Sequence, residues 1–221
     1  MITLALDAST YVGDVALLDD DRLLAEAHTA MKGADEERLM PAVARVLAEA
    51  GVHVDDIDRV VCGAGPGSFT SLRIAGAIAK GIAMGVGCPL YAVPSMALVV
   101  GGGGVGAGRF LVAIDALRGE LYVGLFDVEA DGAVHEVEPA RLISAADVER
   151  LATEYEAKII SPIQGISASS GRPRAAAVAK LETMLEERGP VDIASWEPSY
   201  GRLAEAQVRW ESAHGKPLPT R

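Results

Sequence analysis

The chain is poor in cysteine, in positive charge and in histidines spaced to act together. Of its 221 residues only Cys62 and Cys88 are cysteine, and they form no C-x-x-C pair. That excludes a disulfide framework and a cysteine-based redox motif, and it places the chain in a reducing, cytoplasmic setting. Lysine and arginine number 20 against 31 aspartates and glutamates, a formal net charge of −11. Phosphate neutralisation needs Lys and Arg, so this balance argues against a stand-alone nucleic-acid binder and against an anionic membrane surface. Any RNA contact is local or shared with a more basic partner. His28, His53, His135 and His214 show neither H-x-x-x-H nor H-E-x-x-H spacing, so no metal pair is read and each is simplest as a surface residue. No G-x-S-x-G elbow is present, and Ser68 has no identifiable base. The N-terminus has no basic region before an apolar one, so no secretion signal is expected. Between Lys80 and Arg109 no residue is charged. Pro89, Pro94 and the glycines at 101–104 interrupt that stretch, which reads as buried core and connector and not as a membrane span.

Half of the residues are hydrophobic, and the length suffices for one large domain or two small lobes. Residues 2–8, 12–18 and 22–28 read as three strands with short connections, a β-meander. Residues 35–50 carry Leu39, Val43, Val46 and Leu47 at helical spacing, closed by Gly51. A strand at 59–63, a helix at 70–85, a strand at 90–93 and a short helix after Pro94 follow. The glycine-rich segment 101–108 reads as a hinge or lobe boundary. A related order then begins again, with strands at 109–114 and 121–128, an extended stretch at 133–142, a helix at 144–155 opened by Ser144 and Asp147, a strand at 158–161 and a helix at 175–188. Residues 203–210 read as a last helix that packs back. The expected architecture is α/β with two related lobes, each of order βββαβα. The expected divisions are 1–104, 105–200 and a C-terminal helix and tail at 201–221.

The densest local signal is Cys62-Gly63-Ala64-Gly65-Pro66-Gly67-Ser68-Phe69-Thr70, a strand end, a glycine turn and a helix start. Glycine allows another backbone or a phosphate to come close. Ser68 and Thr70 are N-cap candidates, and free N–H groups at a helix N-terminus suit an anion. Gly65, Pro66, Gly67 and Ser68, with Asp7 and Ser9 at the end of the first strand, are therefore the candidate phosphate or nucleotide site. A tight connection without ligand, and a strand-end aspartate that caps a turn, fit the same residues. The helix at 70–85 is nearly all Ala, Gly, Ile and Met, apolar on most sides. Such a helix is buried in its own fold or by a partner, and both readings stand.

Gly65-Pro66-Gly67-Ser68-Phe69-Thr70 with Leu72-Arg73-Ile74 resembles the signature of the TsaB (YeaZ) family. Leu6-Asp7-Ala8-Ser9-Thr10 is similar to that family's opening. Asp115-Ala116-Leu117-Arg118-Gly119-Glu120-Leu121-Tyr122 and Pro198-Ser199-Tyr200-Gly201-Arg202 resemble its mid-chain and closing elements. Ser71 and Ala75 stand where the family usually has glycine, Leu117 replaces a commonly polar residue, and the usual His-Ser before the first helix is absent. The resemblance implies an actin-like, sugar-kinase-like fold (ASKHA, RNase H-like). It implies a non-catalytic subunit supporting a TsaD-type paralogue, which transfers threonylcarbamoyl from its adenylate to the tRNA adenosine beside the anticodon. A TsaE-type ATPase would act on the assembly, tRNA would be met only through the complex, and the chain alone would be a homodimer. The chain itself would hold no metal, cofactor or catalytic residue; ATP or ADP would sit at the interface with the TsaD-type subunit. The implied partner surface is the helix pair, with Leu39, Val43, Phe69, Leu72, Arg73, Ala75, Gly76, Ala79 and Ala83. An actin-like ATPase or small-molecule kinase using Asp7 and the 65–68 turn is the alternative. A glycoprotease-like peptidase is a lesser one, for want of a visible metal site.

Overall fold

A computed structural model describes residues 1–31, 37–116, 119–163, 166, 169–201, 214 and 215. Strands β1 (Ile2–Asp7), β2 (Val12–Asp19) and β3 (Arg22–Ala30) form the meander, followed by helix α1 (Leu39–Ala50). Strand β4 (Arg59–Gly63), helix α2 (Phe69–Val86), strand β5 (Leu90–Val93) and helix α3 (Ser95–Gly102) complete the first half. The second half has β6 (Gly108–Asp115), β7 (Glu120–Val128), β8 (Val134–Ser144), α4 (Val148–Glu154), β9 (Lys158–Ser161), β10 (Ser169–Ser170) and α5 (Glu182–Arg188). The first sheet has order β3-β2-β1-β4-β5 and the second β10-β9-β6-β7-β8, the same order read from its other edge. The duplicated two-sheet α/β architecture is the one expected from the element order. The second half is abbreviated. Only seven residues separate β9 from β10, too few for a counterpart of the 18-residue α2.

The strands bury both faces, so their side chains sort by parity. Leu4, Leu6, Val60 and Cys62 face α1 and α2, whereas Ala5, Ala16, Leu18 and Val61 face inward. In the second sheet Val112, Tyr122 and Phe126 face inward, and Leu111, Val123 and Leu125 face α4. Between the sheets lies a middle layer of α3, the 3₁₀ turns at Ala175–Lys180 and α5. α3 is buried along nearly its whole length, which suits a helix without a polar face.

Several boundaries differ from those read in the sequence. The segment 175–188 is not one helix. Ala175 is pinned at its N–H by Asp14 Oδ1 (2.8 Å), and Ala177 packs against Gly101, so the small residues take tighter 3₁₀ turns before α5 begins. The stretch 144–155 opens as a 3₁₀ turn at Ala145–Asp147. Ser144 Oγ accepts from the Ala146 N–H (3.4 Å), while Asp147 is taken by Arg150, so no capping box closes. Of the glycine-rich segment 101–108, Gly101 and Gly102 lie in α3, where Ala177 and Arg174 leave little room for a side chain. Packing back on the first sheet begins before residue 201, with the Val191 N–H bonded to Leu90 O (2.8 Å) and Val191, Ile193 and Trp196 against its outer core. The expected helix at 203–210, the start of the helix at 35, Leu117, Arg118 and Arg202 lie outside the described residues.

Candidate functional site

The opening element, the glycine turn and residues 198–201 meet at the C-terminal ends of β1 and β4, where Tyr122 of the mid-chain element joins them. Asp7 and Ser9 are buried, at 0% and 2% exposure. Asp7 Oδ1 accepts from the Ser9 N–H (2.9 Å) and from Ser9 Oγ (2.8 Å), an aspartate capping its own turn. Oδ2 finds no hydrogen-bond partner among the described residues. Ser95 Oγ lies near enough to favour the ionised form, without ordinary hydrogen-bond geometry. Burial dominates and pushes the Asp7 carboxyl above the usual range, against the opposing pull of Ser95 and Ser9. Gly63 is what makes room: a side chain there would meet Asp7 Oδ2 at 1.9 Å.

The glycine turn is filled by the chain's own backbone. The Ala64 N–H goes to Val93 O (2.7 Å), the Gly65 N–H to Ser95 Oγ (2.9 Å) and the Ser68 N–H to Ser9 O (2.8 Å). In return Gly65 O accepts from the Ser95 N–H (3.0 Å) and Ala64 O from the Ser199 N–H (2.7 Å). A Cβ on Gly67 would stand 2.1 Å from Ser9 O. Gly65 to Ser68 thus form a joint where β1, β4, α3 and the 198–200 segment meet. Those three N–H groups serve the chain's own turn, so a phosphate at Asp7, Ser9, Gly65, Pro66, Gly67 and Ser68 would have to be met by other groups. Neither Ser68 nor Thr70 caps α2 by a side-chain bond. Ser68 Oγ meets Ser71 Oγ (3.0 Å), so the serine found in place of a glycine is used inside the fold.

Beside Asp7 on the paired strand stands Asp14, which the sequence reading passed over. It is fully buried, and its carboxyl is pushed up by burial although several partners oppose this. Oδ2 faces His28 Nδ1 (2.6 Å) and accepts from Arg172 Nη1 (3.0 Å), while Oδ1 accepts from the Ala175 N–H. Arg174 Nη2 donates to Glu26 Oε1 (2.7 Å) one strand over. The available signal was an aspartate amid the apolar run of β2, since a buried charge requires partners. His28 lies at the surface as expected, and its Nδ1 reaches inward to Asp14. Among the described residues no group of three or more His, Cys, Asp and Glu side chains is placed to hold a metal.

The expected partner surface divides. Leu39, Val43, Leu72, Ala75, Gly76, Ala79 and Ala83 are buried within the chain's own fold. Phe69 is half-buried and Arg73 exposed. The solvent row of α2 is instead Thr70, Arg73, Ala77, Gly81 and Met84, and that of α1 is Met40, Ala44 and Ala48. α2 is long and apolar enough to cross a membrane by length and composition, yet it lies on the first sheet with Leu72 and Ala79 in the core. At its N-terminal end Arg73 stacks on the Phe69 ring (4.2 Å) and lies 5.5 Å from the Tyr200 ring.

Residues 29–210 match the model of the family described as TsaD, tRNA N6-adenosine threonylcarbamoyltransferase. The chain is 31% identical over 228 residues to the tRNA threonylcarbamoyladenosine biosynthesis protein TsaB of Bacillus subtilis, spanning 95% of this chain and 98% of that one. To the Escherichia coli protein of that name it is 35% identical over 138 residues, 61% of this chain and 59% of the other. The solved structure of YeaZ from Pseudomonas aeruginosa superposes with a TM-score of 0.74 at 29% identity, over 90% of this chain and 99% of that chain.

Proposed function

Since this chain belongs to the TsaB (YeaZ) family, we propose that it serves threonylcarbamoyladenosine synthesis on tRNA as a non-catalytic subunit. It supports a TsaD-type subunit that transfers the threonylcarbamoyl group from its adenylate to the adenosine beside the anticodon. The observation that carries the subunit reading is the solvent face of α2. Thr70, Ala77 and Gly81 are small and Met84 is exposed and apolar, on a helix anchored rigidly to the first sheet. Small side chains let a second helix approach closely, and an apolar row gains by leaving water. A non-catalytic role is supported by Asp7, which is buried with one oxygen engaged as a turn cap, and by a glycine turn in which the Ala64, Gly65 and Ser68 N–H groups serve the chain itself. The same geometry weighs against the actin-like ATPase or kinase reading. Nucleotide, in this reading, is held together with the TsaD-type partner, and a TsaE-type ATPase acts on the assembly. The isolated chain pairs with itself through the same face, tRNA is met through the complex, and the location is cytoplasmic.

The test uses Ala77→Arg and Gly81→Arg, both on exposed positions. Light-scattering chromatography should show the parent chain as a homodimer that exchanges into a heterodimer with a TsaD-type subunit. Both variants should block that exchange and the threonylcarbamoyl transfer of the mixture. Transfer by the purified chain alone would overturn the non-catalytic reading.

A further inference from the structure

Of the eleven described arginines, nine have a carboxylate within 4.0 Å: Arg22, Arg45, Arg59, Arg109, Arg141, Arg150, Arg172, Arg174 and Arg188. Arg38, beside the undescribed segment 32–36, and Arg73 have none among the described residues. In a chain of net charge −11 an uncompensated arginine is unusual, and Arg73 is also held in place. Its guanidinium carbon sits 4.2 Å from the Phe69 ring centre, and its Nε donates to Tyr200 Oη (3.3 Å). The two rings lie 4.4 Å apart at 46°. Tyr200 is fixed in turn. Tyr122 Oη donates to its carbonyl (3.2 Å), Ser199 is bonded to Ala64, and Gly201, at φ +70°, packs on Tyr122 and Pro66 where a side chain would clash.

A guanidinium held by stacking and by its Nε still has its two terminal nitrogens for an outside acceptor. That fork matches a carboxylate in a bidentate pair. Aromatic rings and arginine beside an apolar row are also the composition of an interface anchor. We infer that Arg73 is the anchor of the α2 surface and binds a carboxylate side chain on the TsaD-type partner. This rests on the partner-surface reading above. Charge complementarity selects the occupant: a net charge of −11 disfavours an RNA phosphate chain, and a lone fork suits one acidic side chain.

The experiment measures the dissociation constant of full-length chain and TsaD-type subunit by calorimetry, with Arg73→Lys, Arg73→Glu, Ala77→Arg and parent. Arg73→Lys keeps the charge but loses the fork, so binding should weaken about tenfold, and Arg73→Glu should abolish it. Changing one acidic residue of the partner to arginine should restore binding to Arg73→Glu. The thermal midpoint of the chain alone should move little, since Arg73 is exposed and has no ion pair among the described residues. Unchanged affinity in both Arg73 variants, with Ala77→Arg still blocking, overturns the anchor and leaves the surface reading intact. Unchanged affinity in all three variants overturns both. Unchanged subunit affinity with weakened tRNA binding by the complex assigns Arg73 to RNA. Loss of self-association alone assigns it to the second copy. Either of these last two results also overturns the inference.

Discussion

At Asp7 one carboxylate oxygen is saturated by Ser9 and the other has no hydrogen-bond partner among the described residues. Burial raises its pKa, so the folded chain holds this proton more tightly than the unfolded one. The stability so gained is complete below the ordinary aspartate pKa and is lost as pH rises through the raised value. Asp7→Asn keeps the acceptor for Ser9 and cannot ionise. It should be at least as stable as the parent near neutral pH and flatten the acid-side profile in urea unfolding. A loss of about 2 kcal/mol at neutral pH would mean the ionised form is required. Glycines at Gly67 and Gly81 make the opposite pair. Gly67→Ala drives a Cβ onto Ser9 O and should cost about 2 kcal/mol or more. Gly81→Ala meets nothing within 4 Å and should stabilise the isolated chain by about 1 kcal/mol through helix propensity, read by urea unfolding. Sequence spacing marked both the turn and Asp7. It could not say that the group packed against Gly67 is the Ser9 carbonyl of the chain itself, because glycine suits a close approach by backbone or by phosphate.

At the scale of elements, strands were the most legible. The extents of β1, β4, β6 and β7 follow from their apolar runs, and the short connections fix the meander. α2 was legible as a helix but not as a surface. Its residues are apolar or small nearly all round, so 3.6-residue periodicity assigns no inner face. The sheet decides it: Leu72, Ala75, Ala79 and Ala83 turn in, leaving Arg73, Ala77, Gly81 and Met84 outside. The segment 175–188 failed for a related reason. Its alanines favour an α-helix locally, but the narrow layer between two sheets and the bond from Ala175 to Asp14 favour a tighter turn.

Across the whole molecule, the two halves are tied by side chains far apart in sequence. Asp14 of β2 holds Arg172 and Ala175, Glu26 of β3 holds Arg174, and Arg59 of β4 forks onto Glu182 of α5 at 2.8 and 2.7 Å. Arg172→Ala leaves Asp14 buried with His28 and one N–H. It should destabilise the chain by about 2 kcal/mol near neutral pH, below the full cost of breaking a deeply buried pair, because Arg172 is partly exposed. The cation opposes the upward push of burial on Asp14, so its removal raises that pKa further. The deficit should therefore shrink in acid, where Asp14 takes up its proton, and urea unfolding at two pH values checks this. A deficit that grows in acid would contradict the assignment.

The sequence by itself determined most of the order of elements, the doubled α/β architecture and the family, because these rest on local periodicity and contiguous motifs. Only the tertiary structure decided which helix face meets solvent, what fills the glycine turn and who compensates Asp14. Each of these depends on a neighbour brought from a distant part of the chain, such as Ser199 for Ala64 or Arg172 for Asp14, and local residue order carries no record of such distances.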